Sequence, residues 1–147
     1  MLNIREAARP TLLRRLAAIF YDLWLIAALW VLGAMADTVI RTAIGGDAGE
    51  GQYWPLQVYM TLTAPAFFTW FWTHGGQTLG MRAWRIRLVN DLGGDVTTAQ
   101  ALRRCLWALP SLAFFGLGLI WVAFDRDKAA WHDRASQTWL VMLSKQR

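Results

Sequence analysis

Cysteine and histidine are scarce in this chain of 147 residues, which contains one cysteine, Cys105, and two histidines, His74 and His132. A single cysteine excludes an intramolecular disulfide and a CxxC metal knuckle. His132 has acidic neighbours, but one histidine without a second in reach is poor support for a metal site. We therefore expect neither a disulfide framework nor a bound metal or other cofactor.

Charged residues are also few, at 17% of the chain, whereas 56% of the residues are hydrophobic and ten are Trp. This composition is too apolar for a soluble fold of this size, so a membrane protein is the class to expect. The formal net charge is +5, but Lys and Arg occur in short clusters beside apolar runs, where they set orientation in a bilayer and contact anionic headgroups. We therefore expect the lipid bilayer, and no nucleic acid, as a partner.

Catalytic patterns are missing as well. No nucleophile, base and orienting group occur together, so no hydrolase or transferase is recognisable. The glycines of HGGQTLGMR, residues 74–82, fit neither GxxxxGKS/T nor GxGxxG. The sequence therefore gives no reason to expect an enzyme.

The first hydrophobic segment covers residues 16–36 and is interrupted by one acidic residue, Asp22. Its length matches the roughly 20 residues that a helix needs to cross about 30 Å of hydrocarbon. A cleaved signal peptide is the alternative, because Arg14 and Arg15 precede the segment and small residues end it. The acid, the length and the hydrophobic segments that follow favour a membrane span instead.

Two further apolar segments follow. Residues 55–73 are flanked by tryptophans, the placement expected at membrane interfaces, and contain Pro65, which is expected to kink a helix. Residues 106–124 are interrupted by Pro110 and loosened by two glycines, so this third segment either just spans or turns back.

The orientation follows from the basic residues, which precede the first span and follow the second. Both regions are predicted to be cytoplasmic, and the acidic loop with Asp37, Asp47 and Glu50 to lie outside. The tail is also basic, which conflicts with a simple third crossing. A helix broken at Pro110 that dips into the bilayer and returns would resolve the conflict, and we favour a cytoplasmic tail.

Two short polar stretches complete the predicted architecture. MRAWRIRLVN, residues 81–90, alternates apolar and polar side chains before a turn, and TWLVML near the end is a β-prone run, so the two are predicted to pair as a small cytoplasmic sheet. Thr97 or Thr98 is expected to cap an interfacial helix that carries Arg103 and Arg104. The fold class predicted for residues 1–147, as one domain, is an all-α membrane protein with about three hydrophobic helices, the third re-entrant or Pro-broken, plus this β-hairpin.

Asp22 is the first candidate for function. An acid inside a span costs about 2.5–3.5 kcal/mol on insertion scales, so it usually faces protein or water and has a partner. Its depth, roughly 9 Å below the cytoplasmic edge, leaves it reachable from the cytoplasm. Arg15 is on the same helical face but about two turns away, so Arg104 or a tail residue is the easier partner. Asp22 either exchanges protons or binds a cation, or it holds helices together through an Arg.

Two other stretches contain candidate polar residues. Gln77 and Thr78 follow the second segment, where they either bind a ligand or, as the simpler interpretation, cap backbone groups in a turn. In DRDKAAWHDR, residues 125–134, Asp133 can orient the imidazole of His132.

The order of these motifs resembles the RDD family of small bacterial membrane proteins, named for one arginine and two aspartates. Arg15 and Asp22 match the family's arginine and its first aspartate. Residues 76–80 match the loop after its second span, and Arg104 matches an arginine on its next helix. Residues 132–134, with Thr138, match its tail motif, which contains the second aspartate. Met81 stands where the family commonly has Lys, so a cationic role there passes to Arg82. The resemblance implies a role in transport, with cation/proton exchange suggested for some members.

Two functions are therefore expected. The first is an integral inner-membrane protein that is multi-pass with a cytoplasmic N-terminus and moves a small solute, cation or proton. Asp22 would be the protonatable or cation-binding group, and Arg15 and Arg104 would tune it. His132 and Asp133 would close the site from the cytoplasm. This function requires a homo-oligomer or a membrane partner protein. The second is a structural or adaptor membrane protein whose Arg/Asp network stabilises the helices and recruits a partner.

Overall fold

The computed structural model describes residues 7–45, 53–114 and 116–143. Two long helices lead, α1 (Leu12–Ala43) and α2 (Trp54–Thr73). The first predicted span lies within α1 and the second within α2, while Asp47 and Glu50 of the predicted outer loop lie outside the described residues. In that described part, α1 is the one helix long and apolar enough to cross a membrane, and 6% of its most apolar stretch is buried within the chain.

The helices α1 and α2 contact each other through aromatic side chains. The Tyr59 hydroxyl donates to the Leu29 carbonyl at 2.7 Å, and Trp30 Nε1 donates to the Met60 carbonyl at 3.1 Å. Gly33 permits this approach, because a Cβ there would lie 2.1 Å from the Tyr59 ring. Small residues and polar contacts of this kind bring apolar helices together where no water drives association.

A short helix, α3 (Leu79–Ala83), connects α2 to the first strand, β1 (Ile86–Asn90). The helix α4 (Thr98–Ala113) then begins at a capping box, in which Thr97 Oγ1 accepts from the Gln100 amide. The amide of Thr97 donates in return to the Gln100 side chain. The predicted cap at Thr97 or Thr98 is therefore confirmed at Thr97.

The third hydrophobic segment, residues 106–124, is not one helix. It continues through Pro110 to the end of α4 at Ala113, and the chain then turns at Gly116, whose φ is +74°. A four-residue helix, α5 (Leu117–Ile120), and a 3-10 turn (Trp121–Ala123) follow. The break predicted at Pro110 is wrong. Glycine adopts the left-handed backbone conformation without penalty, so the chain reverses at Gly116, while the helix accommodates Pro110 one turn before it ends.

The last elements are α6 (Trp131–Ala135) and β2 (Thr138–Met142). The strands β1 and β2 pair antiparallel, with Ile86 opposite Met142 and Asn90 opposite Thr138, which confirms the predicted pairing. The Gly76 carbonyl accepts from the Leu88 amide at 2.7 Å. The Ala8 carbonyl accepts from the Met142 amide at 2.8 Å, so the N-terminal segment is attached to the sheet.

The buried core lies between this sheet and the starts of α1 and α4. Its members are aliphatic or Met side chains and come from five elements and the turn before α4: Ala18, Met81, Ile86, Leu88, Val96, Ala101 and Leu140. Many large apolar side chains elsewhere, above all on α1, are exposed. An apolar surface of that extent is unusual for a water-soluble monomer and is typical of contact with lipid or another protein.

Candidate functional site

Three charged side chains meet at the centre of the site, which we call the arginine cluster: Arg15, Arg104 and Asp133. Arg15 Nη1 donates to Asp133 Oδ2 at 2.6 Å, and Arg104 Nη1 lies 2.5 Å from Asp133 Oδ1. The residues Arg15 and Arg104 are each 3% exposed and Asp133 is fully buried. One carboxylate therefore joins α1, α4 and α6.

The remaining donors and acceptors of the arginine cluster are largely satisfied by backbone and hydroxyl groups. Arg15 Nη2 donates to the Lys128 carbonyl at 2.5 Å, and Arg104 Nη1 donates to Thr138 Oγ1 at 2.9 Å. Asp133 Oδ2 also accepts from the Ala130 amide at 2.9 Å, at the first turn of α6. Because buried ions are stable only when hydrogen-bonded, these contacts hold the tail in one position.

The cluster shifts the proton affinities of its titratable members. Burial alone would raise the pKa of Asp133, but the guanidinium groups of Arg104 and Arg15 lower that pKa well below its usual range. His132 Nε2 lies 3.5 Å from Asp133 Oδ1. Burial, together with the positive charge of Arg104, nevertheless lowers the pKa of His132 to about 3. The imidazole is therefore neutral at pH 7, so its contact with Asp133 is not an ion pair.

Asp22 lies in a separate site, which we call the aspartate site. Its Oδ2 accepts from the Thr78 hydroxyl at 2.5 Å, its Oδ1 accepts from the Gly80 amide at 2.9 Å, and it is 1% exposed. The Thr78 hydroxyl in turn accepts from the Met81 amide at 3.1 Å. The carboxylate of α1 thus holds the first turn of α3.

Close backbone packing makes this contact possible. A Cβ on Gly80 would lie 2.2 Å from the Ala18 carbonyl oxygen and 3.0 Å from Asp22 Cγ. In the preceding loop, a Cβ on Gly76 would lie 2.5 Å from the Leu88 carbonyl oxygen, and its φ is +73°. Gln77 Nε2 donates to the Ile86 carbonyl at 2.7 Å, which fixes the loop against β1.

The structure divides the predicted residues into these two sites. It brings together Arg15, Arg104, His132 and Asp133, and separately Asp22, Thr78 and, beside it, Gln77. The expected Arg partner of Asp22 is wrong, because both its oxygens accept from neutral groups of the loop and α3, while Arg15 and Arg104 bind Asp133. Arg82 is exposed on α3 and belongs to neither site.

Some contributors were not anticipated as site residues. Lys128 takes part through its backbone carbonyl, which no side-chain pattern predicts. Ser136 Oγ lies 2.7 Å from Thr138 Oγ1, and the Arg104 guanidinium lies 5.2 Å from the centre of the Trp72 ring.

The chemistry open to these sites follows from their contacts. Within the described ranges, no group of three or more His, Cys, Asp or Glu side chains is arranged to hold a metal ion. One shallow groove lies on α1 beyond Asp22, and mostly apolar residues line it: Val31, Ala34, Met35, Thr38 and Val39. Both carboxylates instead lie in sealed, hydrogen-bonded surroundings, whose direct effect is to join elements.

Comparison with known families gives one match. The model of the RDD family matches residues 9–137, a range that includes both carboxylates and both arginines described above. Comparison with curated proteins gave no significant match, and comparison with solved structures gave none either. Because the match extends over most of the chain, this protein belongs to the RDD family, whose members are generally membrane proteins.

Proposed function

We propose that this chain is a non-catalytic membrane scaffold, in which the arginine cluster and the aspartate site lock a small sheet domain onto the membrane helices and present it to a partner protein. The observation that carries the proposal is that contacts within the chain hold both buried carboxylates. Asp133 contacts two guanidinium groups and a backbone amide, and Asp22 contacts a hydroxyl and a backbone amide. Each is sealed from solvent.

Exclusion of water distinguishes a carboxylate that joins structural elements from a carboxylate that lies on an ion pathway. A group that carries ions must meet water on each side in turn, whereas a group that joins elements is best kept dry and fully bonded. Asp133 joins α6 to α1 and α4, and Asp22 joins α1 to α3. The contacts therefore fix α1, α3, α4 and α6 relative to one another.

The arrangement in the membrane follows the same connections. The Ala8 carbonyl binds β2, and β2 pairs with β1, so the N-terminal segment, the sheet and the tail share one side of a bilayer. If α1 crosses, α2 has to return, and its 20 residues reach about 30 Å. The many basic residues on the shared side favour the cytoplasm, which gives a multi-pass protein of the inner membrane with a cytoplasmic N-terminus.

The experiment compares two replacements of Asp22. In Asp22→Asn, the amide oxygen still accepts from Gly80 and the amide nitrogen can donate to Thr78, so a scaffold loses at most about 1 kcal/mol. In Asp22→Leu, two buried donors lose their acceptors, at about 1–3 kcal/mol each. Thermal unfolding in detergent is expected to rank Asn close to wild type and Leu far below.

The same preparations test flux. Liposomes containing wild type are expected to pass protons and monovalent cations no faster than protein-free liposomes. The control is Asp37→Asn, which removes an ion pair with Arg41 one turn away on the same helix, α1. Proton or cation flux that disappears in a folded Asp22→Asn, and persists in Asp37→Asn, would refute the scaffold.

That refuting result defines the second candidate, transport of a proton or small cation through Asp22. One observation favours it: both groups that bind Asp22 are neutral, so no fixed positive charge occupies the carboxylate. A carboxylate held this way can accept a proton or a cation without first breaking an ion pair. This function additionally requires a second copy or a partner, because the two long helices in the described part of the chain are too few to enclose a pathway.

A further inference from the structure

We infer that the third apolar segment is a hairpin that enters a single leaflet of the bilayer and leaves on the side from which it came. The half-membrane hairpin, as we call it, comprises the described residues 105–114 and 116–124, that is, most of α4, then α5 and the 3-10 turn. This inference requires membrane residence and holds whether the buried sites act as a scaffold or in transport.

The first observation is that the part of α4 after Arg104 exposes large apolar side chains, the reverse of the outer face of a helix on a soluble protein. The buried side chains of α4 include Arg104 and Ser111, which face the chain's interior. The outward side chains of the hairpin are large and apolar: Leu106, Trp107, Leu109, Phe114, Leu117, Ile120, Trp121 and Phe124. Such a surface matches hydrocarbon and not water.

The second observation is topological. The strand β1 precedes the hairpin, β2 follows it, and the two strands pair, so the hairpin starts and ends on the same side. The contact of Arg104 with Asp133 also joins the segments before and after the hairpin. The number of crossings between them must be even, and one turn at Gly116 divides the segment into two short limbs.

The third observation is the length of those limbs. From Arg104 to Ala113, α4 rises roughly 14 Å, and the return limb of α5 and the 3-10 turn covers roughly 11 Å. A full crossing needs about 30 Å, and one leaflet of hydrocarbon is about 15 Å thick. Neither limb can cross, but each fits the depth of one leaflet.

The turn itself is suited to that depth. The Phe114 amide donates to the Pro110 carbonyl, and the amides of Leu119 and Ile120 donate to the Gly116 carbonyl at 2.8 and 2.9 Å. These bonds satisfy backbone groups that would be costly if left unpaired in hydrocarbon. The two limbs also pack tightly, since a Cβ on Gly118 would lie 2.2 Å from Ser111 Oγ.

The occupant of the apolar surface follows from the charges at its base. Arg103 at one end and Arg126 and Lys128 at the other are exposed, and they outnumber the one exposed acid among them, Asp127. Positive side chains on both sides of an apolar wedge complement an anionic headgroup layer, at about 1 kcal/mol per basic residue near the surface. The same charges would face each other unfavourably if a second copy covered the wedge symmetrically. We therefore assign the surface to the acyl chains of an anionic leaflet.

Spin-label depth measurements in nanodiscs of phosphatidylethanolamine and phosphatidylglycerol test this assignment. In a Cys105→Ala background, single cysteines replace Arg103, Phe114 or Arg126 and carry a nitroxide. We expect the Phe114 position to lose collisions with a water-soluble nickel chelate and gain collisions with oxygen, relative to both arginine positions. Leu32→Cys on α1, an exposed position within the predicted span, is the control and is expected to behave as Phe114 does.

A second measurement determines the side. In sealed vesicles of one orientation, a membrane-impermeant maleimide is expected to label the cysteines at positions 103 and 126 from the same side. Labelling from opposite sides would overturn the hairpin, and so would free access of the nickel chelate at position 114. Loss of both collision partners at position 114, with spin–spin broadening, would assign the surface to a second copy and overturn the lipid assignment.

Discussion

Asp133 is the residue whose removal tests the arrangement most directly. In Asp133→Asn, one amide oxygen replaces two carboxylate oxygens, while Arg15, Arg104 and the Ala130 amide all still point toward it. Two buried guanidinium groups then lack their shared counter-charge. Removing one partner of a buried ion pair costs about 3–5 kcal/mol, and because Asp133 serves two partners we expect the upper part of that range.

The loss of stability affects the tail first, because Asp133 connects the tail to Arg15 on α1 and Arg104 on α4. A cost of about 4–5 kcal/mol corresponds to an increase of roughly three to four orders of magnitude in the population of the state with the tail released. Amide protection of β2, residues Thr138–Met142, is expected to fall by that factor in hydrogen-exchange mass spectrometry of the protein in nanodiscs. Trypsin is expected to cleave after Arg134, which lies in the same released segment.

The matched control is Asp95→Asn. It removes the same charge from an ion pair with Arg87, but Asp95 is 72% exposed, and such pairs contribute about 0–1 kcal/mol. The double variant Asp133→Asn/Arg104→Met removes one of the two orphaned guanidinium groups, so it is expected to regain part of the lost protection. Equal exchange of β2 in Asp133→Asn and Asp95→Asn would refute the proposed anchoring.

Two further predictions concern Gly80 and His132. Gly80→Ala places a methyl group against the backbone of α1 and is expected to destabilise the fold by about 1–3 kcal/mol in thermal unfolding, whereas Gly94→Ala, where the nearest atom is 3.4 Å away, is expected to be tolerated; equal melting temperatures would contradict the close packing. Burial and the charge of Arg104 lower the pKa of His132 from 6.5 to about 3, so the unfolded chain binds a proton first as the pH falls. Stability from this group is complete above pH 6.5 and is lost below it at about 1.4 kcal/mol per pH unit, until the folded pKa is reached. His132→Gln is expected to flatten the decline of melting temperature between pH 6.5 and 5; a profile identical to that of the wild type would exclude the assignment.

The sequence predicts the local elements well, because they depend on local rules. Alternation of side chains predicted β1, and the β-prone run TWLVML predicted β2. A cap at Thr97 or Thr98 predicted the start of α4, and long apolar runs predicted α1 and α2. The end of α4 was missed, since Pro110 is the stronger signal in a sequence but Gly116 supplies the conformation that a reversal needs. Local competition between two helix breakers depends on packing that a sequence does not display.

The site was predicted in its members but not in its pairing. Arg15 and Asp133 are separated by 118 positions, and only the tertiary fold brings α6 to the start of α1. Asp22 was expected to have a positively charged partner, because a buried acid is usually compensated by an ion pair with an Arg. It instead uses a hydroxyl and a backbone amide, and a free amide at a helix start exists only once α3 has formed.

The two sites are nevertheless related through their charges. In the described part of the chain, the buried charged side chains are Arg15, Arg104, Asp22 and Asp133, two of each sign. With its members in their charged forms, the arginine cluster carries one excess positive charge, and ionised Asp22 would supply the missing negative one from about two helical turns, or roughly 10 Å, along α1. Asp22 can therefore accept hydrogen bonds from neutral groups alone and still balance the positive charge of the arginine cluster. Neither site requires a side chain of the other within contact distance.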